Sequence, residues 1–232
     1  MRINKKIQKL FLFIAIAFSL IYIMLYFNNT EGFAEEGITA HLISKGFTLD
    51  KLEGNSEQNP KQLEDLINLT KENGIKVMEI GFNAGHSAET ILKNNPTLSL
   101  VSFDIGQHDY VSVAKTYIDS MYPSRHTLIL GDSTKTLPEY ISQNSKKFDV
   151  IFIDGGHDYA IADADLKNSM KLAHKDTVII IDDTFYTPGG EKPHTIGPTR
   201  AWTEHVKNGL ISEINHVEYS EGRGMSWGKY NI

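Results

Sequence analysis

Short apolar runs and amphipathic stretches alternate along most of this chain. IKVMEI (75–80), LSLVSFDI (98–105), HTLILGD (126–132), FDVIFIDG (148–155) and TVIIIDD (177–183) are nearly continuous in apolar residues, the pattern of strands buried on both faces of a sheet. Between them lie segments with helical spacing: GHSAETILKN, YVSVAKTYIDSMY, TLPEYISQN, YAIADADLKNSMKLA and PTRAWTEHVKNG. A further helix is predicted over PKQLEDLINLTKENG, with Pro60 in its first turn and Gly74 as its stop. The C-terminal ISEINHVEYSEGRGMSWGKYNI reads as two strands joined at EGRG. The pattern predicts an α/β fold: a Rossmann-like, seven-stranded, mostly parallel sheet with helices on both faces and a C-terminal antiparallel hairpin.

The first 58 residues break this rhythm. Residues 1–9 form a basic flank with Arg2, Lys5, Lys6 and Lys9, and LFLFIAIAFSLIYIMLYF (10–27) carries no charge. Eighteen residues at about 1.5 Å each span about 27 Å, close to the hydrocarbon thickness of a bilayer. The expectation is one transmembrane anchor preceding the domain, with a cleaved signal peptide as the alternative, since Gly32-Phe33-Ala34 offers a cleavage site. Positive charge before the span places the N-terminus in the cytoplasm and the domain in a lumenal or extracellular space; signal-peptide cleavage would release it as a secreted protein. Residues 28–58 are polar and read as a juxtamembrane linker, leaving 59–232 as the folded domain.

Charge narrows the partners. The net charge is −6, and four of the 23 basic residues sit in residues 1–9, leaving 19 against 29 acidic residues. An acidic domain without a basic stripe is a poor nucleic-acid binder. The chain has no cysteine, which excludes disulfides and cysteine-based zinc sites.

Candidate chemistry gathers at the carboxyl ends of the strands, where open α/β sheets bind ligands. Four of the first five strands end in an acid: Glu79, Asp104, Asp154 and Asp182. The first turn reads Glu79-Ile80-Gly81-Phe82-Asn83-Ala84-Gly85, E-x-G-x-x-x-G instead of the G-x-G-x-x-G of dinucleotide sites. A carboxylate there repels a pyrophosphate and attracts a cation, so the expected ligand is positively charged and carries no phosphate. Asp104 is placed to accept from the two hydroxyls of a ribose, and Asp132-Ser133 to meet an adenine edge. Each acid taken alone also reads as a helix cap.

With the GDS at 131–133 and FDVIFIDGG at 148–156, the sequence resembles the class I S-adenosylmethionine-dependent methyltransferases over about residues 60–230. The resemblance implies that Glu79, Gly81, Asn83 and Gly85 border the methionine portion of S-adenosylmethionine. It implies that Asp104 holds the ribose, that Asp132 and Ser133 lie by the adenine, and that Asp154 adjoins the cofactor. The chain is more closely similar to the cation-dependent O-methyltransferases, the group of catechol O-methyltransferase. That likeness implies metal ligands at Asp154, Asp182 and Asp183, the last standing where the group has Asn, and so Mg²⁺ or another divalent cation. It implies a base at His157, where the catechol enzyme has lysine; a metal-ligand role for His157 stays open beside it.

The implied chemistry is methyl transfer to the hydroxyl of a small molecule, a sugar or a lipid-linked group, with His157 and Asp154 at the reacting centre; N- and C-methylation stay open. A non-catalytic, membrane-anchored Rossmann-like binding protein and an NAD(P)-dependent oxidoreductase remain as alternatives. The first would not need this set of acids, and the second would need the missing G-x-G-x-x-G. Among the other histidines, His86 is expected beside the cofactor and His194 on a mobile Gly/Pro-rich loop. Trp202 and Trp227 are expected in packing.

Overall fold

The computed structural model describes residues 37–53 and 59–232, and Ile38–Ile232 form one unit. The seven strands are β1 (Lys76–Ile80), β2 (Ser99–Asp104), β3 (His126–Leu130), β4 (Phe148–Ile153), β5 (Ala173–Asp182), β6 (Ile211–Ser220) and β7 (Arg223–Tyr230). They lie in the order β3-β2-β1-β4-β5-β7-β6. β1 to β5 pair in parallel, while β7 runs antiparallel to both β5 and β6. The chain therefore reverses direction across the sheet between β1 and β4, and a crevice opens there at the strands' carboxyl ends. The sheet matches the sequence pattern down to the terminal hairpin.

Period-two alternation feeds two cores. Val77, Leu100 and Val150 face one side of the sheet and pack with Ile38, Leu66, Ile91 and Ile118. These four come from α1 (Ile38–Ser44), α2 (Pro60–Leu69), α3 (His86–Asn94) and α4 (Tyr110–Met121). Met78, Phe103 and Ile151 face the other side, against Leu137, Leu166 and Trp202. Those belong to α5 (Ser133–Gln143), α6 (Tyr159–Met170) and α7 (Pro193–Lys207). Full burial of one such aliphatic side chain is worth about 1.5–3 kcal/mol. Trp202 is fully buried, and its indole N–H donates to Glu213; Trp227 packs half-buried against the first core.

Three segments differ from the expected pattern. Within the supposed linker 28–58, Ile38–Ser44 form a helix whose Ile38 and Leu42 are fully buried, and the Ile38 amide donates to Glu89 Oε2 at 2.9 Å. The described part of that stretch thus belongs to the domain; two apolar residues four apart were too weak a signal to stand out among polar neighbours. α7 starts at Pro193 instead of Pro198: Pro193 fills the first turn, and Pro198 lies inside the helix, where it forgoes one backbone hydrogen bond. α5 starts at Ser133, where Asp132 accepts from the Thr134 amide as its N-cap. Among the described residues no helix is long and apolar enough to cross a membrane; the span expected at 10–27 lies outside them.

Candidate active site

β1 ends in a turn that only glycine can make. Gly81 has φ +97°, and a Cβ there would stand 1.8 Å from the Asp154 carbonyl oxygen. Its amide donates to Phe103 O at 2.8 Å, and the Asp154 amide donates to Ile80 O at 2.8 Å. This brings the ends of β1, β2 and β4 together and opens beside them a cleft of about 560 Å³, within the range of small-ligand sites. A second, smaller hollow continues under Phe82 and Ala84 toward α2.

The expected cofactor residues separate into those that face the cleft and two, Glu79 and Gly85, that do not. Asn83, Asp104, Asp132, Ser133 and Asp154 line it, along with Gly81. Asp104 accepts from the Asn83 amide (2.8 Å) and the Gly106 amide (2.7 Å), one on each oxygen. Each oxygen keeps a further lone pair for a hydroxyl. Asn83 holds φ 48°, and its side chain accepts from Tyr110 Oη at 2.6 Å and donates to Glu53 O at 3.1 Å; it shapes the wall through its own bonds. Asp132 is both cleft wall and helix cap, its carboxylate also 3.1 Å from Lys135 Nζ. Thr134 and Lys135 hold its carboxyl below the usual carboxylate range. Gly85, with φ +79°, caps α3.

Glu79 corrects an expectation. It is fully buried beneath the turn and accepts from the Ser87 hydroxyl and from Ser102 Oγ at 2.6 Å. Ser102 Oγ lies 2.9 Å from His126 Nε2 in turn. The register explains it: Glu79 stands opposite Ser102 in the parallel pair. Burial pushes its carboxyl up to about 7. Glu79 braces β1, β2 and α3 and does not line the cleft. His86, too, is buried in that region and bonds Thr39 Oγ1 at 2.8 Å.

Opposite this wall sits the acid–imidazole cluster. Asp154, His157 and Asp183 each offer one donor atom, and these atoms lie within 4.8 Å of one another. His157 Nε2 is 2.9 Å from Asp183 Oδ2, and Asp183 itself has φ 58°, a left-handed conformation that Asp tolerates better than most residues. Hydrogen bonding to Asp183 raises the His157 pKa. Burial, then the nearby Asp182 and Asp183, push the Asp154 carboxyl well up. Asp182, expected as a ligand, is instead turned to Gln62, whose Nε2 reaches both its oxygens at 2.9 and 2.7 Å. The donor set drawn together by geometry therefore exchanges Asp182 for His157.

Two participants, Arg223 and Gln62, were missed in the sequence, and a third, His194, was expected elsewhere. His194 lies in the first turn of α7, its Nε2 2.9 Å from Gly222 O and 3.9 Å from Asp183 Oδ1; it is part of this rim and not of a mobile loop. Arg223 lines the cleft from the start of β7, beside the end of β5 because Asp182 pairs with Met225. Gln62 lines the cleft from α2. The hairpin register would have pointed to Arg223; nothing in helix periodicity singles out Gln62.

Residues 78–184 match the profile of a protein family described as a methyltransferase domain. No curated protein matches the chain at the sequence level. Solved structures share the fold. An O-methyltransferase from Bacillus cereus, in complex with SAH, superposes with a TM-score of 0.64 at 20% identity over 78% of this chain and 86% of that one. The O-methyltransferase TomG from Streptomyces achromogenes, involved in tomaymycin synthesis and in complex with SAM, gives 0.62 at 17% identity over 84% and 88%. The N-methyltransferase NodS from Bradyrhizobium japonicum gives 0.55 at 13% identity over 74% and 96%.

Proposed function

Taking residues 78–184 as a methyltransferase domain within a sheet of the class I fold, we propose that the protein transfers a methyl group from S-adenosylmethionine to a hydroxyl oxygen of a small molecule. The observation that carries this reading is the cleft at the β1/β4 crevice. It sets the Gly81 turn and Asp104 beside the Asp154–His157–Asp183 cluster. The O-methyltransferases among the structural neighbours support oxygen as the acceptor.

S-adenosylmethionine supplies a methyl group already activated on a sulfonium, so the protein's task is to align donor and acceptor. Asp104 accepts from the ribose hydroxyls on the lone pairs its two backbone bonds leave over. Gly81 keeps the first turn flat enough for the ligand to lie against it. Asp183 holds the His157 ring through Nε2–H, which leaves Nδ1 as the lone-pair nitrogen. His157 takes the acceptor's hydroxyl proton on that atom.

The same cluster suits a divalent cation. Two carboxylates and one imidazole are a mixed donor set that fits Mn²⁺ and similar ions as well as Mg²⁺. Asp154, Asp183 and His157 would hold such an ion, which would make a nearby hydroxyl more acidic. Calorimetric titration of the full chain separates the ideas. S-adenosylhomocysteine is expected to bind and NAD not to. Asp104→Ala is expected to weaken S-adenosylhomocysteine about tenfold or more, as loss of a charged hydrogen bond of about 1.5–3 kcal/mol does. Absence of S-adenosylhomocysteine binding overturns the donor assignment. Mn²⁺ binding lost in His157→Ala but kept in Asp182→Ala supports Asp154, His157 and Asp183 as the ligand set; the opposite result restores Asp182.

For the N-terminus we propose that residues 10–27 anchor the protein in a membrane. Its support is the uncharged 18-residue run behind four basic residues. Sedimentation with membranes and resistance to carbonate extraction are the expected results. A fragment beginning near Glu35 in the medium shows a signal peptide instead. Protease protection of the domain in sealed vesicles reports its side of the membrane. Asn68-Leu69-Thr70 is an N-glycosylation sequon but a poor reporter of that side, because Thr70 is buried and its hydroxyl donates to Leu66 O at 2.8 Å.

A further inference from the structure

Gln62 is a polar residue with no reason to be buried where it is. It sits in the first turn of α2, 4% exposed, and lines both the main cleft and the smaller hollow beneath Phe82. Its amide orientation is settled by chemistry. Both Asp182 oxygens lie within 3 Å of one amide atom; at least one of them accepts whether or not the carboxyl holds a proton, and so that atom is the NH₂. The carbonyl Oε1 must then point the other way. Among the described residues, Oε1 is buried without a hydrogen-bond partner. An orphaned buried acceptor is costly, and the residue that carries it lines a cavity bordered by Gly81, Asn83, Asp154 and Asp182.

An acceptor can be satisfied only by a donor. At the amino-acid end of S-adenosylmethionine, the carboxylate only accepts and the sulfonium does neither, so the ammonium is the sole donor. We propose that Gln62 Oε1 accepts a hydrogen bond from the α-ammonium of the methyl donor, with Asp182 fixing the amide so that its carbonyl faces the ligand. This rests on the methyl-donor reading above and adds to it a specificity-determining contact supplied by α2. Asp182 thereby acts as a positioning residue: it selects, through its own two oxygens, which end of the amide meets the ligand.

The test compares two probes on the full chain by calorimetry in EDTA: S-adenosylhomocysteine, and its desamino analogue in which hydrogen replaces the ammonium. Wild type is expected to bind the analogue about tenfold more weakly or worse, the size of a lost charge-assisted hydrogen bond. Gln62→Met keeps the length and packing of the side chain without its acceptor. It is expected to bring S-adenosylhomocysteine close to the analogue and to leave the analogue's affinity unchanged. Equal binding of both probes by wild type overturns the proposal whether or not the variant folds. A variant that weakens both probes equally also overturns it, since Gln62 would then serve only to hold Asp182. If wild type binds neither probe, it is the methyl-donor reading itself that fails.

Discussion

Glu79 and Asp154 both end or follow buried strands, yet their partners give them different work. Glu79 has two hydroxyls and no view of the cleft. Glu79→Ala would leave the Ser87 hydroxyl without its acceptor in the core, while Ser102 keeps His126, at about 1–3 kcal/mol for an unsatisfied group; urea unfolding is expected to show a loss in that range. Glu79→Gln is expected to lose less and to bind S-adenosylhomocysteine like wild type. A large affinity loss in that folded variant would return Glu79 to the ligand shell. His157 is the second case. Asp183 raises its pKa above the usual imidazole value, so the neutral, base-competent form is lost as pH falls through that raised value. An NMR titration of the His157 ring is expected to give a midpoint above about 6.5, and Asp183→Asn is expected to move it toward more acid pH. The acids themselves were legible in the sequence because each closes an apolar run. Partners such as Ser102 and Gln62 were not, because they reach them through strand register and through a helix 120 residues away in the chain.

Elements hold these residues in place by close approach, and glycine marks where. Gly197 in α7 lies so near the loop after β4 that a Cβ would stand 2.0 Å from His157 O and 2.6 Å from Tyr159 N. Gly197→Ala is therefore expected to push α7 from the loop, disturbing the His157–Asp183 pair more than the sheet. The His157 midpoint should drift toward its unperturbed value while far-UV circular dichroism is retained. Gly81→Ala is a harsher change, because both the positive φ and the backbone of Asp154 oppose it; it is expected to lower Tm as well as ligand affinity. At this scale the sheet was legible, since five apolar runs and a terminal hairpin with the right flanks admit few topologies. α1 was not: Ile38 and Leu42 acquire meaning only once Glu89 and the Gly85 turn stand beside them. The early start of α7, which carries His194 to the rim, was hidden by the three prolines and three glycines of residues 187–198, which read as loop.

Across the whole molecule, the carboxyl edge of the sheet and its underside hold more protons than an unfolded chain would. Burial holds Glu79 and Asp165 at about 7, and burial followed by repulsion from Asp183 does the same for Asp182. From about pH 4 to 7 the unfolded chain has released these protons while the native state retains them, so stability falls as pH rises. The raised His157 acts in the same direction, its contribution being lost as pH climbs through its folded value. Buried His126, held down to about 4, opposes them up to about pH 6.5, where the unfolded imidazole stops binding protons. Three carboxyls outweigh one imidazole below that point, and above it only the proton-retaining groups remain. Moving a pKa by one pH unit on folding corresponds to about 1.4 kcal/mol, and each kcal/mol moves Tm by about 2–4 °C in a domain of this size. The ligand-free protein is expected to melt several degrees lower at pH 7.5 than at pH 5, with the steepest change between about pH 6 and 7.5. Glu79→Gln, which has no proton to lose there, is expected to shrink the difference. Mn²⁺ is expected to raise Tm more at pH 7.5 than at pH 5, because it compensates ionised carboxylates in the cleft. A Tm that instead climbs from pH 5 to 7.5 in the ligand-free protein would mean that these carboxyls ionise freely, and that the underside of the cleft is open to water.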